Sequence, residues 1–421
     1  MIARPGEEMQ TSEIAAMSFP YGAAAMTRML ADVDSSKHPH KERTKLHEKM
    51  VSEFKDALEQ LKMPESLQKK ADTRGITLYL SGGGFRGWGY LLMSSHRIRP
   101  YPVPIVNGFS VPVKDFKDTM HVSALASKSM DDQIEDGVGV FRVSKRRAAQ
   151  VPAVSFLVDA LIEAIPIIAN VRFCQGGVRE GWLFDSLPME VRGKDPLVAA
   201  SGRFATDPKS AEQFAELLMS SLPPDDKQLD RYAPAVFKDI VLLKSFANCM
   251  FIQQGHSKES AAVNALHVVI TGPLASAHGV GHTERALLAL MLCQRWGGEG
   301  QIPAPHEELK GRLEALLTQQ EIWWARYLGI MGGCVGDVYP AGRIGEDGER
   351  IQISARWAEG LGKKGNLQGV IVDLKVSGMV GKGLAKDMVE TIEKLGKKKN
   401  RVGGKEYGFG LPISVDVKKL K

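Results

Sequence analysis

Two glycine-rich turns carry the residues of this sequence that are best suited to chemistry. They read SGGGFRGWG at Ser81–Gly89 and QGGVREGW at Gln175–Trp182, and each stands between a short β-type run and a helical pattern. Glycines at the end of a strand allow positive φ angles and a close approach of the backbone to a ligand. The helix that follows directs free N–H groups and the positive end of its dipole at the turn, an arrangement that favours phosphate. An arginine in the first helical turn adds a bidentate donor for phosphate or carboxylate.

The sequence therefore predicts that the two turns bind a phosphorylated ligand. The candidate binding residues are Ser81, Gly82, Gly83, Gly84 and Arg86 in the first turn, and Gly176, Gly177, Arg179 and Glu180 in the second. The alternative is that the glycines only pack strand against helix, and that Arg86, Arg179 and Glu180 form structural salt bridges. No catalytic residue and no protein-held metal is predicted, although Mg²⁺ could accompany a nucleotide or polyphosphate ligand.

Two other interpretations of the first turn are weaker. Gly82, Gly84 and Gly87 match the spacing of a dinucleotide fingerprint, but no acidic ribose partner follows about twenty residues later. The same turn resembles the oxyanion loop of patatin-type lipases, which need a GxSxG nucleophile elbow downstream. The candidate nucleophile, Ser110, is followed by Pro112 where the second glycine belongs.

Composition limits the class of protein. The chain has 421 residues, 43% of them hydrophobic and 25% charged, which is ordinary for a globular protein of two or three domains. The net charge of +6 is mild, and the lysines near the C-terminus lack the interleaved aromatic residues of a nucleic-acid platform. The four cysteines form no CxxC pair, which suits a reducing compartment. No apolar run reaches the roughly 18 residues of a membrane span, so a cytoplasmic protein is expected.

Periodicity predicts an α/β chain with three parts. Short β runs at 76–80 and 171–174 lead into the two turns, and an extended segment at 101–104 precedes a predicted polar loop that reaches to about 139. Residues 206–345 are mainly helical in pattern. The remaining residues are predicted to contain strands at 369–376 and 411–417 and a helix at 384–395. The predicted domains are 1–205, 206–345 and 346–421.

The order of these segments resembles the exopolyphosphatase/guanosine pentaphosphate phosphatase (Ppx/GppA) family. The strand and turn at Val171–Gly181 resemble that family's GGxxREG element. In the family an arginine-bearing segment precedes this element, and the run Ser144–Arg147 with the helix after it matches that segment. The sequences of three segments are similar to those of the fungal retrograde regulation protein 2 group: Ser18–Arg28, Ser81–Ser94 and Pro102–Phe109. The resemblance implies the second lobe of an actin-like (sugar kinase/actin/Hsp70-type) domain, then a helical HD-like domain to which Leu274–Leu290 is similar, then a small α/β part.

The resemblance also implies what the chain does. The family's two N-terminal phosphate loops and the catalytic Glu between them find no match, so we expect a truncated gene model, an isoform or a divergent regulator that does not hydrolyse phosphoanhydrides by itself. Exopolyphosphatase or guanosine pentaphosphate phosphohydrolase activity is the alternative if an upstream lobe is supplied. The expected function is binding of a phosphorylated metabolite, nucleotide or polyphosphate in retrograde or metabolic signalling. The expected partners are that ligand, a signalling protein and a second copy in a homodimer, with neither membrane nor specific nucleic acid.

Overall fold

A computed structural model describes residues 17–135, 143–226, 233–298, 302–346, 348–362 and 364–420. The chain divides into two compact units, Met1–Lys194 and Asp195–Lys421. Both combine helices with a small sheet, which confirms the predicted α/β class in its coarse form. The predicted boundaries at 205 and 345 stay predictions.

The N-terminal unit begins with helices and then builds a three-stranded sheet. Its strands are β1 (Ile76–Leu80), β2 (Ser110–Pro112) and β3 (Ile168–Phe173). Its helices are α1 (Ala23–Asp34), α2 (Pro39–Gln60), α3 (Glu65–Arg74), α4 (Gly83–Ser94), α5 (Val113–Phe116), α6 (Thr119–Glu135), α7 (Lys145–Ala148), α8 (Val151–Ala164), α9 (Val178–Asp185) and α10 (Met189–Arg192).

The sheet places β3 in the centre, parallel to β1 and antiparallel to β2. Because parallel neighbours end at the same edge, the turns that follow β1 and β3 must lie side by side. Helix α4 packs on this sheet with seven consecutive buried residues, from Gly87 to Met93. Burial of Trp88, Leu91, Phe116 and Phe173 against one another supplies the apolar core that holds the two strand ends together.

The predicted polar loop up to residue 139 is wrong in part. Residues Val113–Phe116 and Thr119–Glu135 are helical, and Asp118 Oδ1 accepts the N–H of His121 at the start of the longer helix. Helix α6 has a weak apolar stripe, but Val122 and Ala126 are buried in the core of this unit. Packing against α8 therefore stabilises a helix that the polar composition of this segment does not predict.

The C-terminal unit is helical up to Val338 in its described residues and then forms a second sheet. Its helices are α11 (Pro196–Gly202), α12 (Pro208–Ser220), α13 (Ala235–Lys238), α14 (Ile240–Cys249), α15 (Lys258–His267), α16 (His282–Arg295), α17 (Ala304–Glu314), α18 (Gln319–Val338) and α19 (Lys382–Leu395). Its strands are β4 (Ile351–Leu361), β5 (Leu367–Val376) and β6 (Ile413–Lys419), with β5 antiparallel to β4 and parallel to β6.

The core of this unit is built on two helices, α16 and α18, that are buried over most of their length. Helix α16 buries every residue from Arg285 to Cys293, and Trp323 and Trp324 of α18 are fully buried beside Tyr327. Strand β4 is not among the predicted strands, although buried Ile351 and Ile353 alternate with exposed Gln352 and Ser354. The paired strands and α19 confirm the other predicted C-terminal elements within a few residues.

Candidate anion-binding site at the first turn

The structure brings the two predicted turns together. Leu80 and Phe173 are partners at the ends of β1 and β3, and the N–H of Cys174 donates to the carbonyl of Leu80 at 2.7 Å. Beyond this point the Ser81 hydroxyl donates to the carbonyl oxygen of Gly176 at 2.7 Å. The hydrogen bond joins residues 95 positions apart, so the turns form one continuous surface at the carboxyl edge of the sheet.

Each turn depends on one glycine with a positive φ angle. Gly82 has φ of +114° and Gly176 has φ of +127°, a region that residues with a Cβ atom rarely adopt. A Cβ on Gly82 would meet no atom within 4 Å, so this glycine is required by the backbone conformation and not by crowding. The open space in front of it is available to a ligand.

The first turn ends in the N-terminus of α4. Gly82 occupies the N-cap position and makes no side-chain cap hydrogen bond, so the first N–H groups of the helix are left without that acceptor. Arg86 lies in the first helical turn and is mostly buried. Its Nε is shielded from solvent and has no hydrogen-bond partner among the described residues. A buried donor of this kind is costly unless a ligand or water accepts from it.

Two cavities lie beside this helix start. The smaller, of about 450 Å³, is lined by Gly83, Arg86, Ser144, Arg146, Arg147 and Gln150. The larger, of about 570 Å³, is bounded by α1, the first turn and α8, and Gly82, Gly83, Gly84 and Ser81 all line it. Both cavities share Gly83, Arg146 and Gln150. We refer to the two together as the arginine cleft.

The lining of the arginine cleft is cationic. Its charged members are Arg28, Arg86, Arg146 and Arg147, and no aspartate or glutamate is among the lining residues. Arginine guanidinium groups remain charged at all physiological pH values and match the oxygen spacing of phosphate and carboxylate. The arrangement can therefore bind an anion, with the backbone N–H groups of α4 directed at the same space.

The second turn has a different environment. Glu180 Oε2 accepts the N–H of Gly177 at 2.8 Å and completes a capping box at the start of α9. Arg179 is exposed, and neither it nor Glu180, Gly176 or Gly177 lines the arginine cleft. Gly176 contributes through its carbonyl oxygen, which positions Ser81. Ligand binding by Arg179 and Glu180 stays a prediction.

Sequence reasoning did not select several residues that the fold adds to the cleft. Arg28 comes from α1, and Ser144, Arg146, Arg147 and Gln150 surround α7 just before α8. The available signal was the basic run SKRR at residues 144–147, which the resemblance had aligned with an arginine-bearing segment. Arg28 had no comparable signal, because it is a single arginine in a helix that also contains Asp32 and Asp34.

Two potential nucleophiles, Ser110 and Cys174, lie near the two strand ends. Ser110 stands at the start of β2, and its hydroxyl donates to the carbonyl of Val171 at 3.1 Å. Burial raises the pKa of the Cys174 thiol, against the opposing charge of Arg172, so the thiol stays protonated. Within the described ranges, no group of three or more His, Cys, Asp or Glu side chains is arranged to hold a metal ion. In the same ranges no helix is long and apolar enough to cross a bilayer.

Comparison with known proteins now places the chain in a family. Residues 195–420 match the RTG2 C-terminal domain, and residues 7–190 match the Ppx/GppA phosphatase family. The chain belongs to the RTG2 family, with a Ppx/GppA-type domain before the C-terminal domain. This confirms the resemblance predicted from the two turns and replaces the dinucleotide and patatin interpretations.

A relative in this family is retrograde regulation protein 2 of the yeast Saccharomyces cerevisiae. It is 33% identical to this chain over 369 residues, an alignment that covers 85% of the chain and 58% of the yeast protein. The chain thus spans a little over half the length of that relative. The division between the two family matches falls between residues 190 and 195, beside the division between the two compact units at Lys194.

Proposed function

We propose that this chain is a regulator of retrograde, mitochondria-to-nucleus signalling that binds a phosphorylated metabolite, nucleotide or polyphosphate in the arginine cleft. The observation that carries the proposal is the concentration of Arg28, Arg86, Arg146 and Arg147 around the N-terminus of α4. The name of the yeast relative supports the signalling role. The membership of residues 7–190 in the Ppx/GppA family supports phosphate as the chemical group that is recognised.

We further propose that this chain binds its ligand without hydrolysing it. Cleavage of a phosphoanhydride needs a general base that orients and activates water, and the lining of the arginine cleft holds no carboxylate. The same lining does not fit a protein-held Mg²⁺, which prefers carboxylate oxygens. Any Mg²⁺ would enter on the phosphate oxygens of a nucleotide or polyphosphate. Phosphate release from polyphosphate by the purified chain would contradict this part of the proposal.

The proposal extends to the fold type of each unit and to the cellular compartment of the protein. We assign the N-terminal unit to an actin-like lobe, supported by its family, and the helices from α12 to α18 to an HD-like domain, supported only by the predicted resemblance of Leu274–Leu290. We also propose that the chain is a cytosolic regulator that acts through a protein partner; the yeast relative's name supports only the regulatory role.

The direct test is a binding titration of the purified chain. Calorimetry with ATP, GTP and polyphosphate should show binding, and Arg86→Ala should weaken it by about 10- to 100-fold, the equivalent of one charge-assisted hydrogen bond. Arg86→Lys keeps the charge but loses the bidentate geometry, so we expect an intermediate loss. Raising the salt concentration should weaken binding in the parent and less so in Arg86→Ala.

A matched control separates the cleft from general surface charge. Arg43 is exposed and pairs with Asp34 at 2.7 Å, away from the cleft lining, so Arg43→Ala should leave the affinity unchanged. If the purified chain bound none of ATP, GTP and polyphosphate, the proposal would be overturned. Equal losses in Arg86→Ala and Arg43→Ala would attribute binding to net charge and not to the cleft.

A further inference from the structure

The C-terminal unit contains a separate cavity of about 570 Å³. It is bounded by the end of α16, by α18 and by α19, which contribute Arg295, Asp337 and Met388 among others. A volume of this order is typical of sites for small organic molecules. All lining residues belong to the unit from Asp195 onwards, so this cavity is independent of the arginine cleft. We infer that it binds a small organic anion, with Arg295 as the group that recognises the charge.

Two arginines of the same helix show why Arg295 is unusual. Arg285 is fully buried, and its guanidinium donates to the carbonyl oxygens of Val269 at 2.7 Å, Leu274 at 3.0 Å and Ala277 at 2.6 Å. The Arg295 guanidinium makes no such hydrogen bond to a described residue, whereas a shielded Nε without a partner is a feature that the two arginines share. Arg285 is therefore a structural group that organises a loop. The N–H groups of Arg295 are therefore available to donate to a ligand.

Aromatic rings contact the guanidinium of Arg295, and no described residue accepts a hydrogen bond from it. Its Cζ lies 4.3 Å from the ring centroid of Trp296 and 5.9 Å from that of Phe251. Burial lowers the pKa of Arg295, while Asp337 supplies an opposing charge. Aromatic faces orient a guanidinium through cation–π attraction but accept no hydrogen bonds from its edge. An incoming carboxylate or phosphate would satisfy that edge bidentately.

Helix α18 is shaped to admit this guanidinium. A Cβ atom on Gly336 would collide with the guanidinium of Arg295. A glycine inside a helix costs roughly 0.5–1 kcal/mol relative to alanine. The helix thus carries a less favourable residue at a position where a methyl group would force the Arg295 guanidinium to shift.

The remaining wall favours an anion with a partly apolar body. Lys258 and Lys394 add exposed positive charges, while Arg326 is already paired with Glu314 at 2.9 Å. Asp337 and Asp387 are the lining carboxylates, so the cations outnumber them. Trp296, Ile330 and Leu395 provide apolar surface beside the charged groups. This combination fits a carboxylate or a phosphate monoester that carries a small hydrocarbon or aromatic part.

The test uses three probes of similar shape, measured at constant ionic strength on the full chain with Arg86→Ala and Arg146→Ala introduced to silence the arginine cleft. Saturation-transfer NMR should detect phenylacetate or phenyl phosphate, and the stronger of the two identifies the anionic group. Phenylacetamide is the neutral counterpart and should bind at least about tenfold more weakly than the better anion, the factor that corresponds to one lost charge-assisted contact. Equal binding of phenylacetamide and both anions would overturn the inference.

Variants of the cavity itself complete the test. Arg295→Gln should reduce affinity for the better anion by about tenfold or more, and Lys394→Gln, at an exposed position, should reduce it by a smaller factor without affecting folding. The control is Arg312→Gln, because Arg312 pairs with Glu308 and does not line the cavity. If Arg295→Gln does not fold, Lys394→Gln decides alone. An affinity unchanged in every cavity variant that folds would contradict the inference.

Discussion

The two glycine-arginine turns are alike in sequence and opposite in packing. Trp88 of the first turn is fully buried, and its Nε1 donates to the carbonyl of Phe116 at 3.2 Å. Trp182 of the second turn is 69% exposed. Helix α4 buries seven consecutive residues, whereas α9 buries none. The same local pattern therefore serves as part of the core in one place and as a surface in the other.

Some parts of the motif are set locally, and others depend on the rest of the chain. Positive φ at Gly82 and Gly176 is a property of each turn by itself. The burial of α4 comes from residues far along the sequence, chiefly Val106, Phe116 and Phe173. Only the first turn also meets the arginines that line the cleft.

Replacement of the two tryptophans should have very unequal effects. Trp88→Ala removes a fully buried side chain and its hydrogen bond, so we expect a loss of about 3–5 kcal/mol in the free energy of unfolding. Trp182→Ala at the exposed position should cost less than about 0.5 kcal/mol. Chemical denaturation of both variants measures the difference. Similar losses in the two would mean that α9 is packed in solution as tightly as α4.

The glycines that precede or follow the tryptophans provide a second pair. A Cβ on Gly89 would lie 2.5 Å from Val106 Cγ2 and 3.0 Å from Phe173 Cγ, so Gly89→Ala should cost about 1–3 kcal/mol through overpacking. A Cβ on Gly181 would meet nothing within 4 Å. Gly181→Ala should therefore be neutral or stabilise by up to about 1 kcal/mol, because alanine favours the helix. Thermal unfolding would distinguish the two, and a destabilising Gly181→Ala would refute the open surface at α9.

The hydrogen bond between the turns should have a moderate effect. Ser81→Ala removes the bond to the Gly176 carbonyl and should cost about 1 kcal/mol, mainly by loosening the second turn. Amide hydrogen exchange at Gly176 and Gly177 should become faster. Ser186→Ala is the control, since the Ser186 hydroxyl donates within its own helix to Trp182 at 2.8 Å. Unchanged exchange in Ser81→Ala would show that strand pairing alone aligns the turns.

The smallest expected effect is a pH dependence beyond the buried end of α4. His96 packs edge-on against Tyr101 at 4.9 Å between ring centroids, and its Nδ1 accepts the N–H of Ile98 at 3.1 Å. Burial, assisted by the charge of Arg97 and opposed by Asp115, lowers the pKa of His96. The unfolded chain takes up the proton first as pH falls, so stability is complete above the unfolded pKa of about 6.5 and is lost progressively below it.

His96→Gln should flatten that part of the stability profile. Denaturation midpoints of the parent and the variant, measured from neutral to mildly acidic pH, give the comparison. His267, whose pKa is also lowered by burial, contributes a separate slope in the C-terminal unit and remains in both proteins. If the stability of the parent and of His96→Gln changes with pH in the same way, His96 is not a source of the acid sensitivity.

Much of the fold was predictable because local patterns were strong. The strands at Ile76–Leu80 and Leu367–Val376 and the helix at Lys382–Leu395 lie within two residues of their predicted bounds. Helix α6 and strand β4 were not predicted, since α6 is stabilised mainly by contacts with α8 and the alternation in β4 is short. Within the cleft, Arg86 was selected from its place in a helix start. Arg28 and Gln150 were not, because nothing in their own segments points to a shared cavity.

The amino-acid sequence by itself determined the turns, their positive φ glycines, the helices that follow them and the family of the chain. These features follow from the conformational preferences of short segments and from sequence motifs that the chain shares with its relatives. Tertiary structure alone decided which turn is buried, which arginines surround a ligand space and where Arg295 meets Gly336. Such contacts join residues tens of positions apart, and only the packing of the folded chain brings them within reach of one another.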